Sequence, residues 1–108
     1  MNYKIVSIPL FDKQAKRLSK KYPSLKVDLE KLIDSLQYNP EQGSPLGNKF
    51  YKIRLHIASK AKGKSGGARV ITYVKVLNTT VYLTSIYDKS EKSTVTTKEL
   101  EIIFRSLP

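Results

Sequence analysis

At 108 residues the chain has the length of one domain, enough to bury a core and too short for a second. Its 20 Lys and Arg against 9 Asp and Glu leave a formal charge of +11, which makes a polyanion the default partner. With no cysteine there is no disulfide framework, thiolate nucleophile or cysteine-ligated metal, and no apolar run approaches the ~20 residues of a membrane span. The N-terminus lacks the apolar core of a secretory signal, so a cytoplasmic location is expected.

Residues 3–8 are short and β-leaning, and Pro9 suits the first turn of a helix, where its missing N–H would be unpaired anyway. Phe11, Ala15, Leu18 and Tyr22 recur at helical spacing until Pro23 ends the segment. Ser24 is placed to cap a second helix whose Leu25, Leu29, Leu32, Ile33 and Leu36 form one stripe before Asn39-Pro40 stops it. The two helices read as an antiparallel hairpin. Residues 41–48, with Gly43, Pro45 and Gly47, read as a loop.

From Phe50 the period changes to two: Tyr51, Ile53, Leu55 and Ile57 take one face of a strand, and Lys52, Arg54 and His56 the other. A second strand over 68–77 divides into Val70, Thr72, Val74 and Val76 opposite Arg69, Ile71, Tyr73 and Lys75. Asn78-Thr79 turns into a third strand from Thr80 to Tyr87, completing an antiparallel meander. Thr96 and Glu99 have capping-box spacing ahead of Leu100, Ile103 and Leu107, which predicts a short C-terminal helix. No repeat or low-complexity segment interrupts this order, so residues 1–108 are read as a single α+β domain.

Between Glu41 and Asp88 there is no acidic residue, yet this stretch carries Lys49, Lys52, Arg54, Lys60, Lys62, Lys64, Arg69 and Lys75. Small residues around Lys60, Lys62 and Lys64 let phosphate approach both side chains and backbone amides. The common catalytic sets are poorly supported. His56 is the only histidine and no nucleophile elbow accompanies it, no carboxylates have metal-ligand spacing, and residues 63–69 lack the Gly-Lys-Ser/Thr ending of a phosphate loop.

What remains is a cationic face with aromatics. Lys52 and Arg54 share one side of a strand, Arg69 opens the next, and Tyr73, Tyr87 and Lys89 add stacking surface, a phenol and another cation. Such a set can cleave RNA without metal or histidine: the substrate's own 2′-OH attacks the adjacent phosphate, Lys and Arg stabilise the added charge, and a Lys or Tyr moves protons. The same set also suits a basic module that only binds RNA. His56 reads first as an ordinary strand histidine and second as a phosphate or base contact. Tyr3, Tyr22, Tyr38, Tyr51 and Tyr82 read as packing residues, and Gly66-Gly67 as a turn.

Three segments carry a family resemblance: Tyr51-Lys-Ile-Arg-Leu55, Ala58-Ser-Lys-Ala-Lys-Gly-Lys-Ser-Gly-Gly-Ala-Arg-Val-Ile71, and Leu83-Thr-Ser-Ile-Tyr-Asp-Lys-Ser-Glu91. They resemble the RelE/HigB toxins of bacterial type II toxin–antitoxin modules, most closely the HigB-like branch, and the similarity covers nearly the whole chain. The resemblance implies a RelE-like fold, with a twisted antiparallel sheet, a helical hairpin on one face and a basic site on the other. It also implies a ribosome-dependent mRNA endonuclease that uses no cofactor or metal and is inhibited by a cognate antitoxin. On charge grounds that antitoxin is expected to be acidic and partly disordered.

Residue by residue, Lys52 and Arg54 match the paired cations of the family's first central strand, Arg69 the arginine opening the next, and Lys89 the cation after the last. Lys60, Lys62, Lys64, Tyr73 and His56 are candidates for holding ribosomal or messenger RNA. The catalytic tyrosine of the RelE branch has no equivalent, since Thr94 or Val95 stands there, and Tyr87 is the substitute candidate. Glu91 is a candidate to orient Lys89 or accept a proton. A ParE-like toxin that poisons gyrase shares the fold, but that branch lacks the ribonuclease cluster.

Overall fold

The computed structural model describes residues 2–60 and 67–108. Lys62, Lys64 and Gly66, singled out in the sequence, lie outside the described residues. In chain order the elements are β1 (Lys4–Ser7), α1 (Pro9–Lys21), α2 (Leu25–Tyr38), β2 (Ser44–Gly47), β3 (Phe50–Leu55), β4 (Ala68–Lys75), a 3-10 turn (Val76–Asn78), β5 (Thr80–Asp88) and α3 (Thr97–Ser106). The sheet has the spatial order β1-β5-β4-β3-β2. The helical hairpin packs on one face, burying Phe11 and Leu18 of α1 and Leu25, Leu29, Leu32 and Leu36 of α2.

The local signals place the helix ends well. Pro9 sits in the first turn of α1, and the helix stops at Lys21 because Pro23 drives Tyr22 to an extended conformation (φ −125°, ψ 100°). The capping box of α3 forms as predicted: Glu99 N donates to Thr96 Oγ1 at 3.1 Å and Thr96 N donates to Glu99 Oε1 at 2.8 Å. Ser24 precedes α2 but makes no side-chain cap. Its hydroxyl donates instead to Asp28 Oδ2 at 2.7 Å, because that carboxylate is buried and needs donors.

Three features depart from the sequence reading. The sheet is mixed, since β1 pairs in parallel with β5, Lys4 opposite Thr80. A four-residue strand carries no signal of its direction. The expected loop at 41–48 contains the edge strand β2, which pairs antiparallel with β3 through a turn in which Gly47, Asn48 and Lys49 all have positive φ. Finally, β4 ends at Lys75, so Val76 leaves the strand for the 3-10 turn and is exposed.

Along β5 all nine residues are buried, so the strand shows no alternation. Its pairing with β4 slips by one residue: Ile71 faces Ser85 while Thr72 faces Leu83, leaving Thr84 as the extra residue of a bulge. The bulge is repaired from two sides. Thr84 Oγ1 donates to Ile71 O at 2.8 Å, and the Gln14 side-chain oxygen of α1 accepts from Ile86 N at 2.9 Å and Ser85 Oγ at 3.1 Å. Satisfying those buried groups fixes α1 against the far end of β5, near the site described next. Among the described residues no helix is long and apolar enough to cross a membrane.

Candidate RNA-binding and catalytic cleft

Alternation puts Phe50, Lys52 and Arg54 on one face of β3. That face is divided. At one end Phe50 packs against Tyr73 with the rings tilted (centroids 5.0 Å apart, 59° between planes), and Tyr73 meets Phe104 of α3 edge-on at 5.7 Å, so α3 covers this part of the sheet. Tyr73, a candidate stacking platform for bases, is thus engaged within the protein. At the other end the face is open, forming a cleft of about 510 Å³ lined by Gly43, Ser44, Lys52, Arg54, Arg69 and Lys89. Among the described residues, four cations and no carboxylate line it.

Sheet register brings these charges together. Arg54 lies directly opposite Arg69, and Ser44 of β2 lies opposite Lys52. Like charges facing each other across an antiparallel pair oppose sheet formation by roughly 0.2–1 kcal/mol. Cross-strand pairing therefore does not by itself account for this placement of Arg54 and Arg69. Arg69 is itself buried, with one guanidinium N–H donating to Ala68 O at 3.2 Å. Lys89 enters from the turn after β5; its backbone N–H donates to Gly67 O at 3.1 Å and its ammonium to Ser93 O at 2.9 Å.

Gly43 and Ser44 were missed by the sequence reading. The available signal was Gly43, whose φ of +100° and closeness to β3 exclude a side chain: an added Cβ would sit 2.6 Å from Lys52 O and 2.8 Å from Ile53 Cγ1. At Gly47, also at positive φ, an added Cβ meets nothing within 4 Å. Gly43→Ala is therefore expected to cost about 1–3 kcal/mol in urea unfolding. It should also weaken RNA binding by displacing β2 from Lys52, whereas Gly47→Ala should show the backbone strain alone.

Other candidates fall outside the cleft. Tyr87 lies opposite Arg69 in β5, but it is only 7% exposed and its buried hydroxyl has no hydrogen-bond partner among the described residues. The Lys92 ammonium stands 5.5 Å from its ring centroid and pairs with Glu99 of the α3 cap. His56 is exposed just past the end of β3. Glu91 does not orient Lys89. It pairs with Arg17 at 2.9 Å and Lys21 at 3.3 Å, and these two partners, Arg17 first, lower its pKa. Of the tyrosines read as packing residues, Tyr22 and Tyr82 are buried and Tyr3 and Tyr51 pack against the core, but Tyr38 is exposed.

Lys60 also stands apart from the cleft. Its ammonium donates to Asp88 Oδ1 at 3.0 Å, and Asp88 is completely buried. The same carboxylate accepts from Tyr22 OH at 2.7 Å and from the backbone and hydroxyl of Ser90 at 2.9 and 2.7 Å. Burial by itself would raise the Asp88 pKa; the bonds from Tyr22, Ser90 and Lys60 outweigh it and hold the carboxyl well below the usual range.

The family model for the RelE toxin of the RelE/RelB toxin–antitoxin system matches residues 10–107. The chain belongs to the RelE toxin family. It is accordingly the toxin component of a toxin–antitoxin system, as the three-segment resemblance implied. Among solved structures it is similar to a double-arginine mutant of the E. coli toxin RelE in the free state, at 16% identity and a TM-score of 0.66, covering 99% of this chain and 100% of that one. It is similar to the isolated E. coli RelE toxin at 19% identity and a TM-score of 0.62, covering 97% and 99%. The intact E. coli RelBE toxin–antitoxin complex matches at 18% identity and a TM-score of 0.59, over 78% of this chain and 93% of that one. At these identities the structural matches establish the RelE fold, an α+β arrangement of three helices and a five-stranded sheet.

Proposed function

We propose that this RelE-family toxin is a ribosome-dependent mRNA endonuclease acting in the cytoplasm, and that the cleft of Lys52, Arg54, Arg69 and Lys89 is its active site. The observation that carries the reading is the convergence of four cations from β3, β4 and the turn after β5 in one acid-free cleft, with Arg54 directly opposite Arg69. In the reaction the substrate 2′-oxygen forms a bond to the adjacent phosphorus as its proton passes to a base. The P–O5′ bond breaks as an acid protonates the leaving oxygen. A 2′,3′-cyclic phosphate and a 5′-hydroxyl result. Arg54 and Arg69 stabilise the extra charge on the phosphorane, and Lys52 and Lys89 are the cleft groups that carry protons.

Tyr87, buried beside Arg69 on the neighbouring strand, supports this site instead of meeting substrate. His56 remains a candidate RNA contact at the open end of β3. The antitoxin partner is an acidic segment that folds over the cationic cleft, neutralising it as it binds. Primer extension on a translated mRNA after induction tests the reading. Cuts in phase with codons are expected, together with their loss on purified naked RNA. A DNA-damage response without cuts would reassign the chain to gyrase poisoning, and neither effect would leave an RNA-binding module.

A further inference from the structure

Two acids of this strongly basic chain are buried, Asp28 and Asp88, and both face the segment that follows β3. Asp28 Oδ2 accepts from Ala58 N at 3.1 Å and from Ser24 Oγ, while Ser59 N donates to Ser24 Oγ at 2.8 Å. Asp88 holds the next residue, Lys60, whose ammonium also lies 5.6 Å from the Tyr22 ring centroid. The Lys21 ammonium at the end of α1 also stands 5.4 Å from the same ring and 3.7 Å from Asp88 Oδ2. One carboxylate thus joins the end of α1, the residues after β3 and the end of β5.

Asp88 also shapes the turn that follows it. Its Oδ1 accepts from Ser90 N and Ser90 Oγ, and its backbone carbonyl accepts from Glu91 N at 2.9 Å and Lys92 N at 3.1 Å. Lys89 lies inside this turn, flanked by groups bonded to Asp88, and is the only cleft cation among the described residues not carried by a strand. Strand register positions Lys52, Arg54 and Arg69. Lys89 is positioned instead by the Asp88 turn, by the Gly67 carbonyl that accepts its backbone N–H and by the Ser93 carbonyl that accepts from its ammonium.

We infer that Asp88 is a positioning residue, one that sets Lys89 in the cleft and holds Lys60 outside it as an internal strut. The inference rests on the nuclease reading for its effect on turnover, but the geometry it describes exists whatever the cleft does. A buried carboxylate is costly to a fold unless fully bonded, and four donor groups surround this one, so its place is determined by the packing of three elements. Displacing it by the loss of charge shifts the turn, and a misplacement of the order of an ångström in a reacting group costs up to about 10²-fold in rate.

The test is a double-mutant cycle between Asp88→Asn and Lys89→Ala, read on ribosome-dependent cleavage and, separately, on binding of a single-stranded RNA oligonucleotide. Asp88→Asn is expected to lower kcat by about tenfold to 10²-fold with KM within about twofold, and to add less than about twofold in the Lys89→Ala background. Additive losses in both assays would overturn the inference, because a structural defect harms the protein whether or not Lys89 is present. Tyr22→Phe removes one donor while keeping the charge; it repeats the cycle if Asp88→Asn does not fold, with the same coupling expected. If the wild type does not cleave, the nuclease reading fails, and coupling in the binding assay alone still decides the role of Asp88.

The strut has its own readout. Removing one cation that touches a phosphate of single-stranded RNA flattens the dependence of log K on log salt by about 0.7. Lys52→Met should show that change and Lys60→Met should not; a flattening of about 0.7 for Lys60→Met would make Lys60 a phosphate ligand and overturn its role as a strut.

Discussion

Arg54→Ala and Arg69→Ala are each expected to lower cleavage of translated mRNA by about 10²–10³-fold, the loss that follows removal of one preorganised donor to a developing oxyanion. Growth arrest on induction should disappear with either. Arg54 is exposed on β3, and its removal relieves the like-charge pairing with Arg69, so its unfolding free energy should stay within about 1 kcal/mol of the wild type. The double variant should be little worse than the worse single one, because two guanidinium groups that face the same phosphate act as a unit. A folded Arg54→Ala protein that still arrests growth at full strength would remove the Arg54–Arg69 pair from the chemistry. Lysine substitutions at either position are expected to restore binding more than turnover, since an ammonium supplies charge without the planar fork that fits a phosphate.

The second large effect concerns stability and pH. Asp88→Asn is expected to cost roughly 3–5 kcal/mol at neutral pH, the range for removing one partner of a buried ion pair. The folded-state pKa of Asp88 is depressed below its unfolded value of about 3.9, so its contribution is complete above that value and is lost as pH falls through it toward the folded pKa. Urea unfolding of both proteins across pH should show a gap that is constant from neutral to about pH 5 and narrows below about pH 4. Glu91 and Glu99, whose pKa values are lowered chiefly by Arg17 and Lys92, remain in the variant and give both proteins a shared, shallower acid limb. A gap that widens with acid would mean that Asp88 is protonated in the folded protein.

Much of the lining of the candidate cleft was legible in the sequence because strand alternation is a local rule. Phe50 to Ile57 already separated the apolar set from Lys52 and Arg54, and the start of the next strand at Ala68-Arg69 placed a third cation within hairpin reach. Lys89 followed from its place after the last strand. Tyr87 was different. Its position in a strand was read correctly, but the sequence could not reveal that β5 is covered on both faces, which buries the phenol beneath Lys92 and the α3 cap. Glu91 was assigned to its neighbour Lys89, yet α1 brings Arg17 and Lys21 closer across 70 or more residues of chain.

Dihedral limits, periodicity and charge within a few residues of one another were enough to set the helix ends at Pro9, Pro23 and Asn39-Pro40 and the capping box at Thr96. The same local rules set the period-two strand carrying Lys52 and Arg54, and the acid-free basic stretch with its demand for an anion. Long-range packing was needed for the rest: that β1 runs parallel to β5, that Gly43 and Ser44 line the cleft, that α3 engages Tyr73, and that Asp88 pairs with Lys60. Each of these depends on which surfaces are buried against one another. A lysine beside glycines and serines reads as a free phosphate contact until a buried carboxylate from a distant strand end is placed 3.0 Å away, where leaving that charge unpaired would be costly.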